Sequence, residues 1–169
     1  MIDYVRQVLA DQFEAGLCML HQCIQKCQPQ LWEGKIAGIT FRQVAYHTLF
    51  FVDLYLSPSE QAFVLRDLHA TGGDEREPRF TPGLPQDETL AYVSLCRQKA
   101  AQALAAETQE SLAGPSGFSW YPVSRGELHL ISLRHIQHHT GQLSAYLRRC
   151  DPLLADRSAL RWVGSGWRS

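Results

Sequence analysis

The fold is most clearly indicated by the stretch from Ser124 to Arg149, SRGELHLISLRHIQHHTGQLSAYLRR. Apolar and imidazole side chains recur in it every three or four positions, which predicts one amphipathic helix. Ser124 and Glu127 have the spacing of a capping box, and the two arginines of the last turn suit the negative end of the helix dipole. The stripe that we expect to face inward contains Leu128, Ile131, His135, His139, Gln142 and Tyr146.

Three more helices are predicted before this one. Apolar residues at helical spacing fill the range 2–27, and a following proline ends that helix. Thr40 and Gln43 form a second capping box, from which a helix runs to about Leu56. An alanine-rich helix is predicted over 87–114. No segment reads as a strand pair, so the pattern favours an all-α four-helix bundle.

A long segment, 57–85, separates the second helix from the third. We expect a short helix near 60–68 at its start. The glycines and prolines that follow predict a loop over 69–85, and a loop of this length inside a compact domain is a candidate lid or partner surface.

The end of the chain is predicted to be a cover over the helices. The tail, 151–169, carries Trp162 and Trp167 among Gly and Ser, which is too aromatic for a disordered tail and too broken for a helix. We expect a single domain over 1–169, with its core in about 1–150.

The composition argues against several classes of protein. The chain has 169 residues, 16 Lys+Arg against 17 Asp+Glu, and a pI of about 6.6, unlike a nucleic-acid-binding protein. The longest apolar stretch, 48–56, is interrupted by Asp53 and is too short to cross a bilayer, and the first residues lack the pattern of a secretory signal. We expect a soluble cytoplasmic protein. The five cysteines form no CxxC pair, so reduced thiols are expected.

Three histidines form a candidate metal site. His135 and His139 lie one turn apart on the inward stripe, where two imidazoles can bind the same metal. Burial disfavours protonation of both rings, and a bound metal removes that conflict. His47, facing inward from the second helix, is the best third ligand, whereas His138 points toward the edge of the stripe. Hydrogen-bonded core histidines are the alternative interpretation.

The remaining histidines are expected to be surface or loop residues. They are His21, His69 and His129. A separate zinc site made of His21, Cys23 and Cys27 is an alternative, although cysteines are common on the apolar face of such a helix.

Familiar catalytic motifs are missing from the sequence. Ile136 occupies the position that glutamate takes in HExxH, and no Glu precedes a His by three positions as in di-iron bundles. GxSxG, GxxxxGK[ST] and GxGxxG are absent as well. A mononuclear three-histidine site is what remains.

Two stretches, QVAYHTLFFVDLYL and LRHIQHHTGQLSAYLRR, together resemble the DinB/YfiT-like superfamily of metal-dependent enzymes. The resemblance covers about 1–149, and the HxxHHxGQL string is its most specific part. It implies a four-helix bundle, commonly dimeric, in which His47, His135 and His139 bind a divalent metal. Several branches of that superfamily are thiol S-transferases that use bacillithiol, mycothiol or glutathione.

Three neutral imidazoles leave a bound metal its full charge and an open position, at which a thiol is deprotonated. Zinc is the expected metal, with nickel, iron or manganese as alternatives. We expect transfer of a low-molecular-weight thiol to a small-molecule substrate. A metal-dependent hydrolase or isomerase, and a non-catalytic stress-related binding protein, stay open as alternatives. Gln142, one turn beyond His139, is a candidate for supporting a ligand histidine or for contacting the cofactor or substrate. No general base stands out, although Asp11 or Glu14 of the first helix are candidates.

Overall fold

The computed structural model describes residues 1–76, 81–156 and 158–167. As predicted, the chain is mostly helical, with seven α-helices in these ranges. In chain order they are α1 (Ile2–Lys26), α2 (Pro29–Trp32), α3 (Phe41–Tyr55), α4 (Asp67–Gly72), α5 (Gln86–Ala106), α6 (Gln109–Ala113) and α7 (Arg125–Cys150). A 3₁₀ turn, Pro152–Leu154, follows α7.

The four long helices enclose the hydrophobic core. Helices α1 and α3 each pack against both α5 and α7. The largest fully buried side chains include Phe13, Leu17, Leu49, Phe50, Tyr92 and Leu104. Because burying one such side chain stabilises the fold by about 2 kcal/mol, this core holds the helices in place. Within the described part of the chain, no helix is both long and apolar enough to span a bilayer.

The helices that carry the candidate ligands begin where the sequence predicted. At α3, the Gln43 N–H donates to Thr40 Oγ1 at 3.2 Å, and the Thr40 N–H donates to Gln43 Oε1 at 2.7 Å. At α7, the Glu127 N–H donates to Ser124 Oγ at 3.2 Å. These caps satisfy backbone N–H groups that the helices cannot pair internally.

A short strand pair contradicts the prediction that the chain contains none. Strands β1 (Lys35–Ile36) and β2 (Ile39–Thr40) run antiparallel between α2 and α3. Ala37 and Gly38 join them with φ values of 48° and 99°, as in hairpin turns with positive φ at both central residues. Strands of two residues are too short to show alternating hydrophobicity, so the pattern gave no sign of them.

The third long helix ends earlier than predicted. Helix α5 stops at Ala106 because Glu107 has an extended backbone, with φ −63° and ψ 142°. Thr108 then caps α6 by accepting the Ser111 N–H at 3.0 Å. The predicted helix is therefore divided in two, and Glu107 turns its side chain inward at the break.

The helix predicted near 60–68 is displaced toward the C-terminus and forms α4 instead. The His69 side chain caps it, since its Nδ1 accepts the Arg66 N–H at 2.7 Å. Beyond α4, residues 73–76 and 81–85 contain no regular helix or strand, in line with the predicted loop. The middle of the candidate lid, 77–80, lies outside the described residues.

The tail packs against α1. Val163 is buried against Ala15 and Cys18, and the Gly166 N–H donates to the Asp11 carbonyl at 3.0 Å. Trp162, in contrast, is 77% exposed and takes no part in this cover.

Candidate metal centre

Three imidazoles, from His47 on α3 and from His135 and His139 on α7, meet between the two helices. One nitrogen of each ring lies within 4.8 Å of the other two. His47 Nε2 and His135 Nε2 are 3.2 Å apart, and the ring centroids of His135 and His139 are 4.5 Å apart. In the described residues, no other group of three His, Cys, Asp or Glu side chains is close enough to hold a metal ion.

The packing of α3 against α7 produces this convergence. Residues four apart on α7 share a face, so His135 and His139 both point toward α3. Phe51, one turn after His47 on α3, packs beside histidine rings from both helices. Its ring centroid lies 4.9 Å from that of His47 and 5.7 Å from that of His135. The phenyl ring forms an apolar wall beside the histidines.

Glu75, in the loop after α4, orients His47. Its Oε2 lies 3.2 Å from His47 Nδ1, and its carboxylate also accepts the Thr81 hydroxyl. The Thr81 carbonyl in turn accepts Gln43 Nε2 at 2.8 Å, which ties the loop to the first turn of α3. A carboxylate at Nδ1 keeps the proton on that nitrogen, so Nε2 presents its lone pair to the other rings.

Gln142 has the corresponding role for His139. Gln142 Oε1 lies 2.9 Å from His139 Nδ1 and accepts a hydrogen bond from it, which leaves Nε2 of His139 as the free nitrogen. The Gln142 amide nitrogen lies 3.2 Å from Nε2 of His138, an exposed ring outside the group of three. The structure thus places Gln142 on a ligand candidate, and its predicted contact with a cofactor or substrate stays a prediction.

His135 is held in its neutral form. Burial lowers its pKa to about 3, and repulsion from positive charge on His139, His47 and His138 adds to the effect. Burial also lowers the pKa of His139. Nδ1 of His135 is buried and has no hydrogen-bond partner among the described residues. Neutral imidazoles are the form that binds metals, and three of them suit zinc or another divalent transition metal.

His129 is buried, contrary to the prediction of a surface position. It is 1% exposed, its Nε2 lies 2.8 Å from Glu107 Oε1, and Arg125 Nε donates to the same oxygen at 3.0 Å. The buried stripe of α7 runs through Leu128, His129, Ser132 and Ile136, so it is rotated relative to the predicted stripe. The histidine therefore belongs to a buried charge network.

His69 is buried as well, again contrary to the prediction. Its Nε2 lies 3.1 Å from the Tyr92 hydroxyl, which donates to Asp53 Oδ2 at 3.2 Å. Lys99 Nζ donates to Asp53 Oδ1 at 2.5 Å. No periodicity marks a residue that enters the core from a short helix in a loop, so sequence reasoning missed this network.

The alternative zinc site on α1 does not form. His21 is half-buried with its ring 5.2 Å from that of Trp167, and the described residues do not combine it with Cys23 and Cys27 in a group spaced for a metal. Burial raises the pKa of both thiols to about 12, so both stay protonated at neutral pH. None of the five cysteines is joined to another described cysteine by a disulfide bond.

The carboxylate at the centre is not one of the two that the sequence suggested. Glu14 accepts Arg97 Nε at 2.6 and 2.8 Å, and Asp11 accepts Gln7 Nε2 at 2.9 Å. Glu75 is the acidic residue that lies against the histidines. The TGGDEREP stretch contains no pattern that predicts the contact between Glu75 and His47, because the contact depends on the path of the loop.

Comparisons with protein-family models, with curated proteins and with solved structures find no match to this chain. What the site does is therefore inferred from its own geometry and chemistry.

Proposed function

We propose that this protein is a divalent-metal-dependent enzyme of the DinB/YfiT-like type. In this proposal α1, α3, α5 and α7 form its four-helix bundle, and His47, His135 and His139 bind the metal. The observation that supports it is the convergence of three imidazole nitrogens within 4.8 Å. The outer nitrogens of two of these rings are hydrogen-bonded to Glu75 and Gln142, as is usual for histidines that bind a metal.

Neighbouring side chains orient two of the three histidines so that their free nitrogens face the proposed metal position. Glu75 holds the proton at Nδ1 of His47, and Gln142 holds the proton at Nδ1 of His139. Phe51 keeps water from one side of the rings. A bound divalent ion, with zinc proposed ahead of nickel, iron or manganese, would supply Lewis acidity at a position open to a thiol or water.

The proposed reaction is transfer of a low-molecular-weight thiol to an electrophilic small molecule. The thiol loses its proton to solvent, its sulfur forms a bond to the electrophilic carbon, and the leaving group departs with the electron pair of the broken bond. A free thiol is mostly protonated at neutral pH and is therefore a weak nucleophile. Lowering its pKa makes the thiolate available at that pH.

Metal-dependent hydrolysis on the same three imidazoles is the second candidate, because a divalent metal held by three histidines would lower the pKa of a bound water to about 7. Glu75 lies 3.2 Å from His47 Nδ1, the nitrogen that faces away from the other rings, so in a hydrolase it would orient His47 and not act as the general base.

Thiol dependence of turnover distinguishes the two candidates. Metal-loaded protein is assayed with 1-chloro-2,4-dinitrobenzene and with an activated ester, with and without glutathione, bacillithiol or mycothiol. The proposal expects turnover that requires one of the thiols and is lost in His47→Ala. Thiol-independent ester hydrolysis that is lost in the same variant identifies a hydrolase. No turnover under any of these conditions favours the non-catalytic binding protein.

We also propose a cytoplasmic homodimer, as the resemblance implies. Light scattering tests the oligomeric state, since a mass near the 19.1 kDa of one chain at micromolar concentration would contradict it.

A further inference from the structure

A groove opens on the side of α7 that faces away from the histidines. It lies between α1, α7 and the tail, and its volume is about 350 Å³. Its α7 wall includes Thr140, Gly141 and Ser144, which at about 100° per residue lie roughly opposite His135 and His139 on the helix. Small-molecule pockets commonly measure about 300–1,000 Å³, so the groove has the size of a ligand site separate from the candidate metal centre.

Gly141 leaves the α7 wall of this groove open. A Cβ at this position would meet no atom of the described residues within 4 Å. A glycine inside a helix weakens it relative to alanine, and close approach of a neighbouring element is the usual reason for keeping one. Here no described neighbour approaches, and the space beside the glycine belongs to the groove.

Thr140 adds an unsatisfied polar group to the same wall. The residue is 5% exposed, and its Oγ1 is buried with no hydrogen-bond partner among the described residues. A buried hydroxyl without a partner costs free energy, and a polar atom of a bound ligand would remove that cost.

The charge of the groove is positive. Arg148 and Arg161 line it, and none of the described residues that line it is Asp or Glu. The Arg148 guanidinium is already hydrogen-bonded within the chain: Nη1 donates to the carbonyls of Leu154 and Asp156 at 3.5 and 2.9 Å, and Nη2 donates to that of Leu160 at 2.8 Å. It therefore contributes positive charge to the groove. The Arg161 side chain is exposed. Beside the charge of Arg148, it suits a ligand with an anionic group, which a guanidinium binds through paired hydrogen bonds.

The rest of the lining is mainly apolar and includes an aromatic ring. Met19 and Leu160 contribute aliphatic surface, and the 77% exposed indole of Trp162 lies at the rim. An exposed indole next to an apolar surface favours stacking with a planar ring. Cys23 also lines the groove, and because burial raises its pKa to about 12, its thiol is not a nucleophile there.

We propose that this groove binds a small aromatic carboxylate. The carboxylate is bound by Arg161 beside the positive charge of Arg148, and the ring lies over Gly141 against Leu160 and Trp162. This site does not depend on the proposed metal centre, because it lies on the opposite side of α7.

Isothermal titration calorimetry of the full chain with 2-naphthoate tests the proposal. The wild type should bind one molecule of 2-naphthoate per chain. The uncharged analogue 2-naphthalenemethanol should bind at least about tenfold more weakly. Gly141→Leu should weaken naphthoate binding by at least about tenfold, because its side chain fills the groove. Ala145→Leu is the matched control, since Ala145 is exposed on the same helix and does not line the groove.

Two further variants test the proposal even if Gly141→Leu does not fold. Arg161→Gln removes one charge and should weaken binding of 2-naphthoate but not of the neutral alcohol. Thr140→Val keeps the shape of the side chain and removes the hydroxyl, so it should also weaken binding. The proposal is overturned if the wild type does not bind 2-naphthoate at millimolar concentration, if Gly141→Leu folds and binds as the wild type does, or if the neutral alcohol binds equally well.

Discussion

Glu75 Oε2 lies 3.2 Å from His47 Nδ1, so the loop after α4 fixes the orientation of an imidazole in the middle of α3. Thr81 holds the other oxygen of the carboxylate, and Gln43 holds the carbonyl of Thr81. Gln43 is also the residue that caps α3 through Thr40. One chain of hydrogen bonds therefore runs from the start of the helix to the candidate ligand.

Replacing Glu75 should weaken metal binding without removing a ligand. In Glu75→Ala the carboxylate that fixes the proton on His47 Nδ1 is gone, and loss of such a partner typically lowers metal affinity by about 10- to 100-fold. Competition titration with a chromophoric zinc chelator measures the change. Glu88→Ala, at an exposed position of α5, is the control and should bind metal like the wild type. Equal affinity in both variants would show that Glu75 does not position His47.

Lys99→Met should destabilise the fold through Asp53. The Asp53 side chain is fully buried, and Lys99 Nζ donates to its carboxylate at 2.5 Å. Among the described residues, the buried carboxylate without Lys99 keeps only the Tyr92 hydroxyl at 3.2 Å and Arg66 at 3.5 Å, and removing one partner of a buried ion pair costs up to about 3–5 kcal/mol. Urea unfolding measures the loss of free energy, with the exposed Lys35→Met as the control. A loss below about 1 kcal/mol would contradict this prediction, because it would mean that the Lys99–Asp53 ion pair stabilises the fold no more than an exposed ion pair does.

Glu107 should make the fold sensitive to acid. Burial alone would raise its pKa, but hydrogen bonds from His129, Ser111 and Arg125 outweigh burial and hold the pKa at about 2. Because the folded-state pKa lies below the unfolded value of 4.5, the stabilisation is complete above pH 4.5 and is lost as the pH falls from there toward 2.

Glu107→Gln should be less stable than the wild type at pH 7, since Arg125 and His129 lose their charged partner. Its unfolding free energy should also fall less between pH 4.5 and pH 2, a window set by the two pKa values of Glu107. Urea titrations across this range measure both effects. Parallel pH profiles for variant and wild type would contradict the role of Glu107.

Gly141→Ala should stabilise the protein. The new methyl group meets nothing within 4 Å in the described part of the chain, and alanine in a helix interior is favoured over glycine by about 0.5–1 kcal/mol. Thermal unfolding measures the gain, and Gly34→Ala is the contrasting variant. A Cβ at Gly34 would lie within 3 Å of the Tyr146 ring, so that variant should be less stable than the wild type. A destabilised Gly141→Ala would mean that another group occupies the groove in the native protein.

Long periodic segments with caps could be predicted from the sequence. Helices α3 and α7 begin at Thr40 and Ser124 as their capping residues indicate. The four-residue spacing of His135 and His139, and the inward position of His47, also predicted that the three rings face one point, and the structure places them there. Metal binding at that point stays a prediction.

Features that depend on contacts between distant segments could not be predicted. Helix α5 ends where Glu107 turns toward Arg125 and His129, and no local signal of helix propensity reports those partners. Glu75 and His69 act from loop and short-helix positions, where periodicity is uninformative. The position of each is set by tertiary packing.

Calorimetric titration of zinc into the metal-free protein measures directly whether the three histidines form a metal centre. We expect one zinc ion per chain in the wild type and in His138→Ala, whose ring is exposed and outside the group of three. We expect no stoichiometric binding in the His135→Ala, His139→Ala double variant. One zinc ion per chain in the double variant, or none in the wild type, would contradict a metal centre formed by His47, His135 and His139.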